Sequence, residues 1–164
     1  MDTTTRQLTP NSAKASINHA IRKKRPIFLW GPPGIGKSDI VHQIGEQMNA
    51  KVIDVRLSLW EPTDIKGIPY FDSNIGKMVW APPLELPDED LAAQHDNIVL
   101  FLDEMNSAAP AVQAAAYQLI LNRKVGTYTL PDNVYIVLLV TEKLTRVLPI
   151  ACRLRLLIVL FTLR

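Results

Sequence analysis

The chain has a single cysteine, Cys152, which excludes a disulfide framework. Its three histidines, His19, His42 and His95, lie far apart and have no cysteine partners, so no metal-ligand spacing is present and solvated helix or loop positions suit them better. Charge of one sign is also scarce. The 18 Lys and Arg against 16 Asp and Glu leave a net +2, too little to imply a nucleic-acid partner. No apolar run approaches the roughly 20 residues of a membrane span, and Arg153 and Arg155 interrupt the approach to the stretch from Leu156 to Leu163. No basic-then-apolar leader precedes the first predicted helix, which makes the cytoplasm the expected compartment. What is present is a 164-residue chain, 48% hydrophobic, with enough apolar material to bury the core of one α/β domain.

Residues Gly31 to Ser38 read GPPGIGKS and fit the phosphate-binding pattern G-x-x-x-x-G-K-[ST]. The apolar run Ile27-Phe28-Leu29-Trp30 before it reads as a buried strand. The residues after Lys37 place Ile40, Val41 and Ile44 at helical spacing, so the glycines fall in the strand-to-helix turn that the motif needs. Gly31, Gly34 and Gly36, with Pro32, Pro33 and Ile35 between them, let the backbone turn tightly and aim N–H groups inward. The loop and the helix start at Lys37, Ser38 and Asp39 then form a nest for phosphate oxygens. Lys37 is expected to reach the β- and γ-phosphates of a nucleotide, ATP or GTP, and Ser38 to offer its hydroxyl to Mg²⁺.

A second segment, IVLFLDE from Ile98 to Glu104, ends an apolar strand with two adjacent carboxylates. Neighbours on a strand point to opposite faces, so Asp103 and Glu104 cannot serve one ion in the same way. Asp103 is expected to hold Mg²⁺ through its water shell, and Glu104 to orient and polarise the water that attacks the γ-phosphate. That division favours hydrolysis over transfer to a small acceptor.

The remaining elements alternate as in a parallel sheet covered by helices. A leading amphipathic helix is predicted over Thr9 to Lys24, with Ala13, Ile17, Ala20 and Ile21 on one face. The run Arg22-Lys23-Lys24-Arg25 that ends it reads as a complement to the helix dipole, with a nucleic-acid patch as the alternative. A strand is predicted from Lys51 to Leu57. Glu61 to Asp90, rich in Pro, Gly and Asp, reads as a loop and β-hairpin insertion turning at Asn74 to Gly76. Ser107 is expected to cap a helix through Val112, Tyr117, Leu119 and Ile120, with Pro110 in its first turn, and Val134 to Val140 reads as a buried strand.

The segments GPPGIGKS, EPTDIKGIPY, WAPPLELP, FLDEMNSAAPAVQAAAYQLIL and LPDNVYIV resemble the MoxR-type branch of the AAA+ ATPases, over roughly Leu8 to Val137. The resemblance implies a P-loop NTPase three-layer αβα core with parallel strand order 5-1-4-3-2, and nucleotide at the carboxyl ends of the strands. It further implies ATP and Mg²⁺ as ligands, a homo-oligomeric ring, and protein clients or a von Willebrand A-type partner. The hairpin at 61–80 would then face partners or the pore. Tyr70 and Phe71 are either substrate-gripping aromatics or a hydrophobic face packed on their own domain.

The resemblance stops after Val137. The family pattern there reads much like AAGNRETDKGVTYRMPAPLANRFVHLE, whereas this chain reads LLVTEKLTRVLPIACRLRLLIVLFTLR. DNA beginning GCT GCT GGT AAC CGA GAA ACT GAC AAG encodes the first string. Without its first base it reads CTG CTG GTA ACC GAG AAA CTG ACA AGG, which encodes Leu138 to Arg146. Residues 1–137 hold 13 Lys and Arg against 15 Asp and Glu, while 138–164 hold 5 against 1, so the net charge swings from −2 to +4 at the junction. Residues 138–164 are read as an out-of-frame tail, with a divergent terminal strand and helix as the alternative. The family's sensor asparagine and arginine finger would fall at Thr141 and Val159, and its fifth strand and helical lid are expected to be missing. The expected function is therefore Mg²⁺-dependent ATP hydrolysis by a remodelling ATPase. The alternatives are a nucleotide-binding remnant with little turnover and a small-molecule kinase, which would need an acceptor site in place of the Asp103-Glu104 pair.

Overall fold

The computed structural model describes residues 7–8, 10–31, 34, 36–140 and 157–161. In chain order the elements are β1 (Gln7–Leu8), α1 (Pro10–Arg22), β2 (Ile27–Trp30), α2 (Lys37–Gln47), β3 (Lys51–Arg56), α3 (Pro62–Lys66), β4 (Ile68–Asp72), β5 (Lys77–Ala81), α4 (Glu89–Gln94), β6 (Ile98–Asp103), α5 (Pro110–Asn122), β7 (Lys124–Val125), β8 (Tyr128–Thr129), β9 (Val134–Val140) and β10 (Leu157–Phe161).

Six strands form one parallel sheet in the order β1-β10-β2-β9-β6-β3. Leaving aside the two-residue edge strand β1, the other five strands counted along the chain give 5-1-4-3-2. A parallel sheet with both faces covered reads as continuous apolar runs rather than as alternation, which is why IFLW, IVLFL and VYIVLLV are so uniformly hydrophobic. The alternation appears in what each residue touches. Ile27, Leu29, Val99, Phe101, Val137 and Leu139 pack with Ile17, Ile21, Ile40, Val41 and Ile44 of α1 and α2. Phe28, Leu100, Leu102, Ile136 and Leu138 pack with Ile65 of α3 and Val112, Ala116 and Leu119 of α5. Gly45 lets α2 lie close to β3, since a Cβ there would sit 2.3 Å from Val52 Cγ2.

The fold departs from the sequence reading in three places. The fifth strand, expected to be missing, is present: Leu157–Phe161 lies beside β2 in register Leu157↔Ile27 to Leu160↔Trp30. An uncharged, β-prone run satisfies an open parallel edge through backbone hydrogen bonds, whatever its side chains were selected for. No helix follows α5 among the described residues. Second, the loop expected after Glu61 begins with a helix. Glu61 accepts from the N3 backbone while the Asp64 side chain accepts from Glu61 N at 2.7 Å, a reciprocal capping box that starts α3 at Pro62. Third, Ser107 does not cap α5. It lies in the 3₁₀ turn Met105–Ser107, and Ala109 occupies the N-cap with Pro110 behind it, so the helix starts two residues later than a Ser107 cap would set it.

Residues 61–81 end in an antiparallel hairpin of β4 and β5 that turns at Gly76 (φ 65°). Its base is closed by Gly67, where an added Cβ would lie 1.9 Å from the Ala81 carbonyl oxygen. No helix among the described residues is long and apolar enough to cross a membrane.

Candidate functional site

The carboxyl ends of β2 and β6 and the start of α2 converge on one edge of the sheet. Gly31 follows β2 and is buried. Gly34 (φ 77°) and Gly36 (φ 74°) take the left-handed conformation that lets the chain fold back into α2, while Pro32, Pro33 and Ile35 lie outside the described residues. Gly36 precedes α2 and no side chain caps that end, which leaves the first N–H groups of the helix to a ligand. Ser38 is half-buried in the first turn; Asp39 is exposed there, a carboxylate at the positive end of the dipole.

Lys37 is the only buried charged residue among those described, 5% exposed. Its Nζ donates to the Gly31 carbonyl at 2.9 Å, so the side chain folds back across the loop. Burial lowers its pKa, and the charge of Asp103 opposes that shift. Lys37 is thus a cation largely out of water, held by the Gly31 carbonyl and within the influence of the carboxylate at the end of another strand.

Asp103 ends β6, and its carboxyl is pushed up, first by burial and then by Glu104 and Asp54, against the lowering influence of the Glu104 N–H and of Arg56. The Glu104 backbone N–H donates to Asp103 Oδ1 at 2.6 Å. Glu104 itself has φ 53°, a left-handed turn that ends the strand and swings its side chain away from that of Asp103. The two carboxylates therefore differ in surroundings as well as direction. Asp103 is turned back onto the Glu104 N–H, whereas Glu104 reaches across to the turn after β3, where Ser58 Oγ donates to Glu104 Oε2. Arg56 Nε stands 4.0 Å from Glu104 Oε1, a contact in which both side chains are too exposed to contribute much.

The structure thus brings Gly31, Gly34, Gly36, Lys37, Ser38, Asp39, Asp103 and Glu104 to one edge. It adds two residues that the sequence did not single out, Arg56 and Ser58. The signal for them is the register Arg56↔Asp103, a non-local fact. Ser38 and Asp103 both offer hard oxygen donors of the kind Mg²⁺ takes, and a carboxyl whose pKa is raised by burial stands to gain from a nearby cation, so the donor set fits that ion. The aromatics of the hairpin are largely open to solvent: Tyr70 is 49% and Phe71 62% exposed, with Ile68 and Met78 exposed on the same hairpin.

Residues 27–162 match the model of the ATPase family associated with various cellular activities (AAA). A segment of 38 residues is 37% identical to the replication factor C large subunit of Pyrobaculum calidifontis, covering 23% of this chain and 9% of that protein. Among solved structures, the Thermotoga maritima RuvB Holliday junction branch migration motor superposes with TM-score 0.56 at 18% identity, over 93% of this chain and 43% of that one. NtrX from Brucella abortus, solved in complex with ATP, gives TM-score 0.58 at 16% identity, over 92% of this chain and 34% of that one. The chain spans less than half the length of each of these relatives.

Proposed function

Since the chain belongs to the AAA family of ATPases, we propose that it binds ATP with Mg²⁺ at the edge formed by β2, α2 and β6 and hydrolyses the γ-phosphate. The observation that carries this reading is the buried Lys37, folded back onto the Gly31 carbonyl at the uncapped start of α2, on the same sheet edge where β6 ends in Asp103 and Glu104. Lys37 would leave the Gly31 carbonyl for the β- and γ-phosphate oxygens, and the bare N-terminus of α2 would receive the same anion. Ser38 and Asp103 would hold Mg²⁺, which when bound neutralises charge on the phosphates. Glu104 would accept a proton from water as the water oxygen forms its bond to the γ-phosphorus. The bond between that phosphorus and the bridging oxygen breaks, leaving ADP and inorganic phosphate. In the ligand-free chain Ser58 Oγ donates to the Glu104 carboxylate, a bond that Glu104 would give up on taking the proton of the water. The test is Glu104→Gln, which keeps shape and loses basicity. Nucleotide affinity should stay within about twofold while turnover falls by about 100-fold or more; equal turnover in the two proteins would remove Glu104 from this role.

The finer assignment is MoxR-type: a ring of identical subunits that remodels protein clients, alone or with a von Willebrand A-type partner, in the cytoplasm. The segments EPTDIKGIPY and WAPPLELP and the exposed Ile68, Phe71 and Met78 support it. A second reading, a nucleotide-binding remnant, is favoured by one observation. Val159, where the resemblance places an arginine finger, lies within β10 opposite Leu29, and its side chain carries no charge. Losing such an arginine typically lowers the rate by about 10³ to 10⁵. Thr141, where the sensor asparagine would stand, lies outside the described residues. We attribute this departure to an out-of-frame origin of residues 138–164, and resequencing the gene around codon 138 tests that origin directly. Binding without measurable turnover would select the remnant.

A further inference from the structure

At the amino ends of β2 and β9, on the edge of the sheet opposite the phosphate loop, the chain gathers positive charge that its net +2 conceals. Arg22, Lys23, Lys24 and Arg25 lie at the end of α1, and Arg123 and Lys124 follow α5, six of the 18 Lys and Arg in the sequence. All but the half-buried Arg123 are exposed. Helix capping does not account for the first four, because the Ala20 and Ile21 carbonyls at the end of α1 already accept the backbone N–H groups of Lys23, Lys24 and Arg25. Two of the six also stand where a side chain is unwelcome. Lys24 (φ 51°) and Arg123 (φ 52°) take the left-handed conformation in which helices usually end on glycine or asparagine, as α2 does at Asn49. The charge is kept at a steric cost.

Lys24, Arg25 and Arg123 meet around a cavity of about 100 Å³ whose walls include Leu121, Tyr135 and Ile136. Tyr135 is held there by its Oη, which donates to Asn97 Oδ1 at 3.3 Å, and Arg123 by its Nη2, which donates to the Pro131 and Val134 carbonyls. The Nε and Nη1 donors of Arg123 have no hydrogen-bond partner among the described residues, and none of the six cations has an ion-pair partner among them. One carboxylate, Asp132, stands two residues before Val134 and offsets at most one of these charges. An aromatic wall beside several cations matches a nucleotide unit, which joins a flat apolar base to a phosphate within one residue. An acidic peptide carries its carboxylates and its apolar side chains on different residues, and a bare phosphate would leave the apolar walls unfilled.

We propose that this edge binds single-stranded nucleic acid, with phosphates on the cations from Arg22 to Arg25 and on Arg123, and one base in the cavity against Tyr135. The strand is single because a base held in a duplex stack cannot enter. Contacts to phosphates and to the face of one base read no sequence, so the binding is non-specific and salt-dependent. It shares no residue with the nucleotide site and stands whether or not the chain hydrolyses ATP.

Fluorescence anisotropy with labelled oligo-dT and oligo-rU of about 20 nucleotides tests it on the whole chain without ATP, and the tighter of the two names the polymer. The dissociation constant should lie at roughly 10⁻⁴ to 10⁻⁶ M near physiological salt, and log affinity should fall with log salt at a slope of about −0.7 per phosphate contacted. Lys24→Gln with Arg25→Gln removes two such contacts, so the slope should become shallower by about 1.4. Tyr135→Leu removes the stacking face and should weaken binding about tenfold at an unchanged slope, a division that a general loss of structure would not produce. Circular dichroism melts establish that the variants fold; if Tyr135→Leu melts early, Leu121→Glu at the cavity wall takes its place and should weaken binding by at least about tenfold. Lys66→Gln with Lys77→Gln, exposed cations on α3 and β5, should leave affinity and slope as they were. No binding at low salt, an unchanged slope in the Lys24 and Arg25 variant, unchanged affinity in the cavity variant, or an equal loss in the Lys66 and Lys77 variant would overturn the proposal. So would a duplex bound as tightly as the single strand, or displacement by an oligoglutamate peptide at equal charge concentration, which would assign the edge to an acidic protein segment.

Discussion

Replacing Lys37 by Met should separate the two things the lysine does. In the ligand-free chain the side chain is 5% exposed, its pKa is lowered by burial, and its Nζ donates to the Gly31 carbonyl at 2.9 Å. Methionine keeps most of the apolar volume and removes a buried charge, so the ligand-free melting temperature should hold or rise. With nucleotide the sign reverses. A hydrogen bond to a charged group contributes about 1.5–3 kcal/mol, and Lys37 would make such bonds to two phosphates, so the variant should lose at least about 3 kcal/mol, or roughly 100-fold in affinity. Differential scanning calorimetry with ATP and Mg²⁺ at about 100 times the original dissociation constant converts this into temperature. The unaltered chain should gain about 2.7 kcal/mol and the variant only about 0.4 kcal/mol at the same concentration. For a domain of this size each kcal/mol shifts the midpoint by about 2–4 °C, so the expected gains are roughly 5–11 °C against 1–2 °C. Equal shifts in the two proteins would mean that Lys37 does not touch the phosphates. A ligand-free midpoint lowered by several degrees would mean instead that its bond to Gly31 holds the loop in shape.

Ser58→Ala removes the hydrogen bond that quiets the Glu104 carboxylate; steady-state turnover should rise a few-fold, roughly the effect of one lost hydrogen bond of about 1 kcal/mol, with ATP affinity unchanged, and a fall of tenfold or more would show that Ser58 positions Glu104 for the reaction rather than restraining it. Asp103→Asn should raise the ligand-free melting temperature at pH 7 while abolishing Mg²⁺-dependent turnover. The carboxyl's pKa is raised in the folded state, so its penalty is full above that raised value and disappears as pH falls toward the unfolded value of 3.8. The stability gap between the two proteins should therefore close on acidification, and a gap that widens would contradict the assignment to Asp103. Gly67→Ala places a methyl 1.9 Å from the Ala81 carbonyl oxygen at φ 87°, ψ −173°, a conformation open essentially to glycine alone. We expect about 2–4 kcal/mol of destabilisation, read as a midpoint lowered by roughly 4–16 °C or as hydrogen exchange confined to β4 and β5.

Much of the site was legible because it is written contiguously. GPPGIGKS and IVLFLDE each carry a strand, a turn and their polar groups within eight residues, so local chemistry was enough to place Lys37 and the Asp103-Glu104 pair. Ser58 and Arg56 were not legible, since their relevance depends on β3 pairing with β6 in the register Arg56↔Asp103, 47 positions apart in the sequence. The helix at Pro62–Lys66 was missed for a different reason. Proline and aspartate weighed as loop formers, although Glu61 and Asp64 at a three-residue spacing are a capping pair and proline is at ease in a first helical turn. The fifth strand was discounted because residues 157–161 do not look like the family's. A parallel edge, however, asks only for backbone donors and acceptors and an apolar, unbranched-by-charge surface, and LIVLF supplies both.

In the ligand-free site burial acts against the charged forms of both Lys37 and Asp103, which a bound anion and cation together would favour. Burial pushes Lys37 toward losing its proton and Asp103 toward gaining one, so each is drawn toward neutrality, opposed at Lys37 by the charge of Asp103 and at Asp103 by the Glu104 N–H and by Arg56. A phosphate chain brought to the bare end of α2 would favour the charged form of Lys37 but would repel Asp103. A cation alone would favour charged Asp103 but would repel Lys37. The two penalties are lifted at once only when anion and cation arrive as a pair, which makes a metal–nucleotide complex a better ligand than the sum of its parts. Glu104 stands outside this coupling, hydrogen-bonded to Ser58 in the turn after β3 and half-open to water. The two adjacent carboxylates on one strand end therefore stand in different surroundings, Asp103 bonded to the Glu104 N–H and Glu104 bonded to Ser58, which suits them to different work.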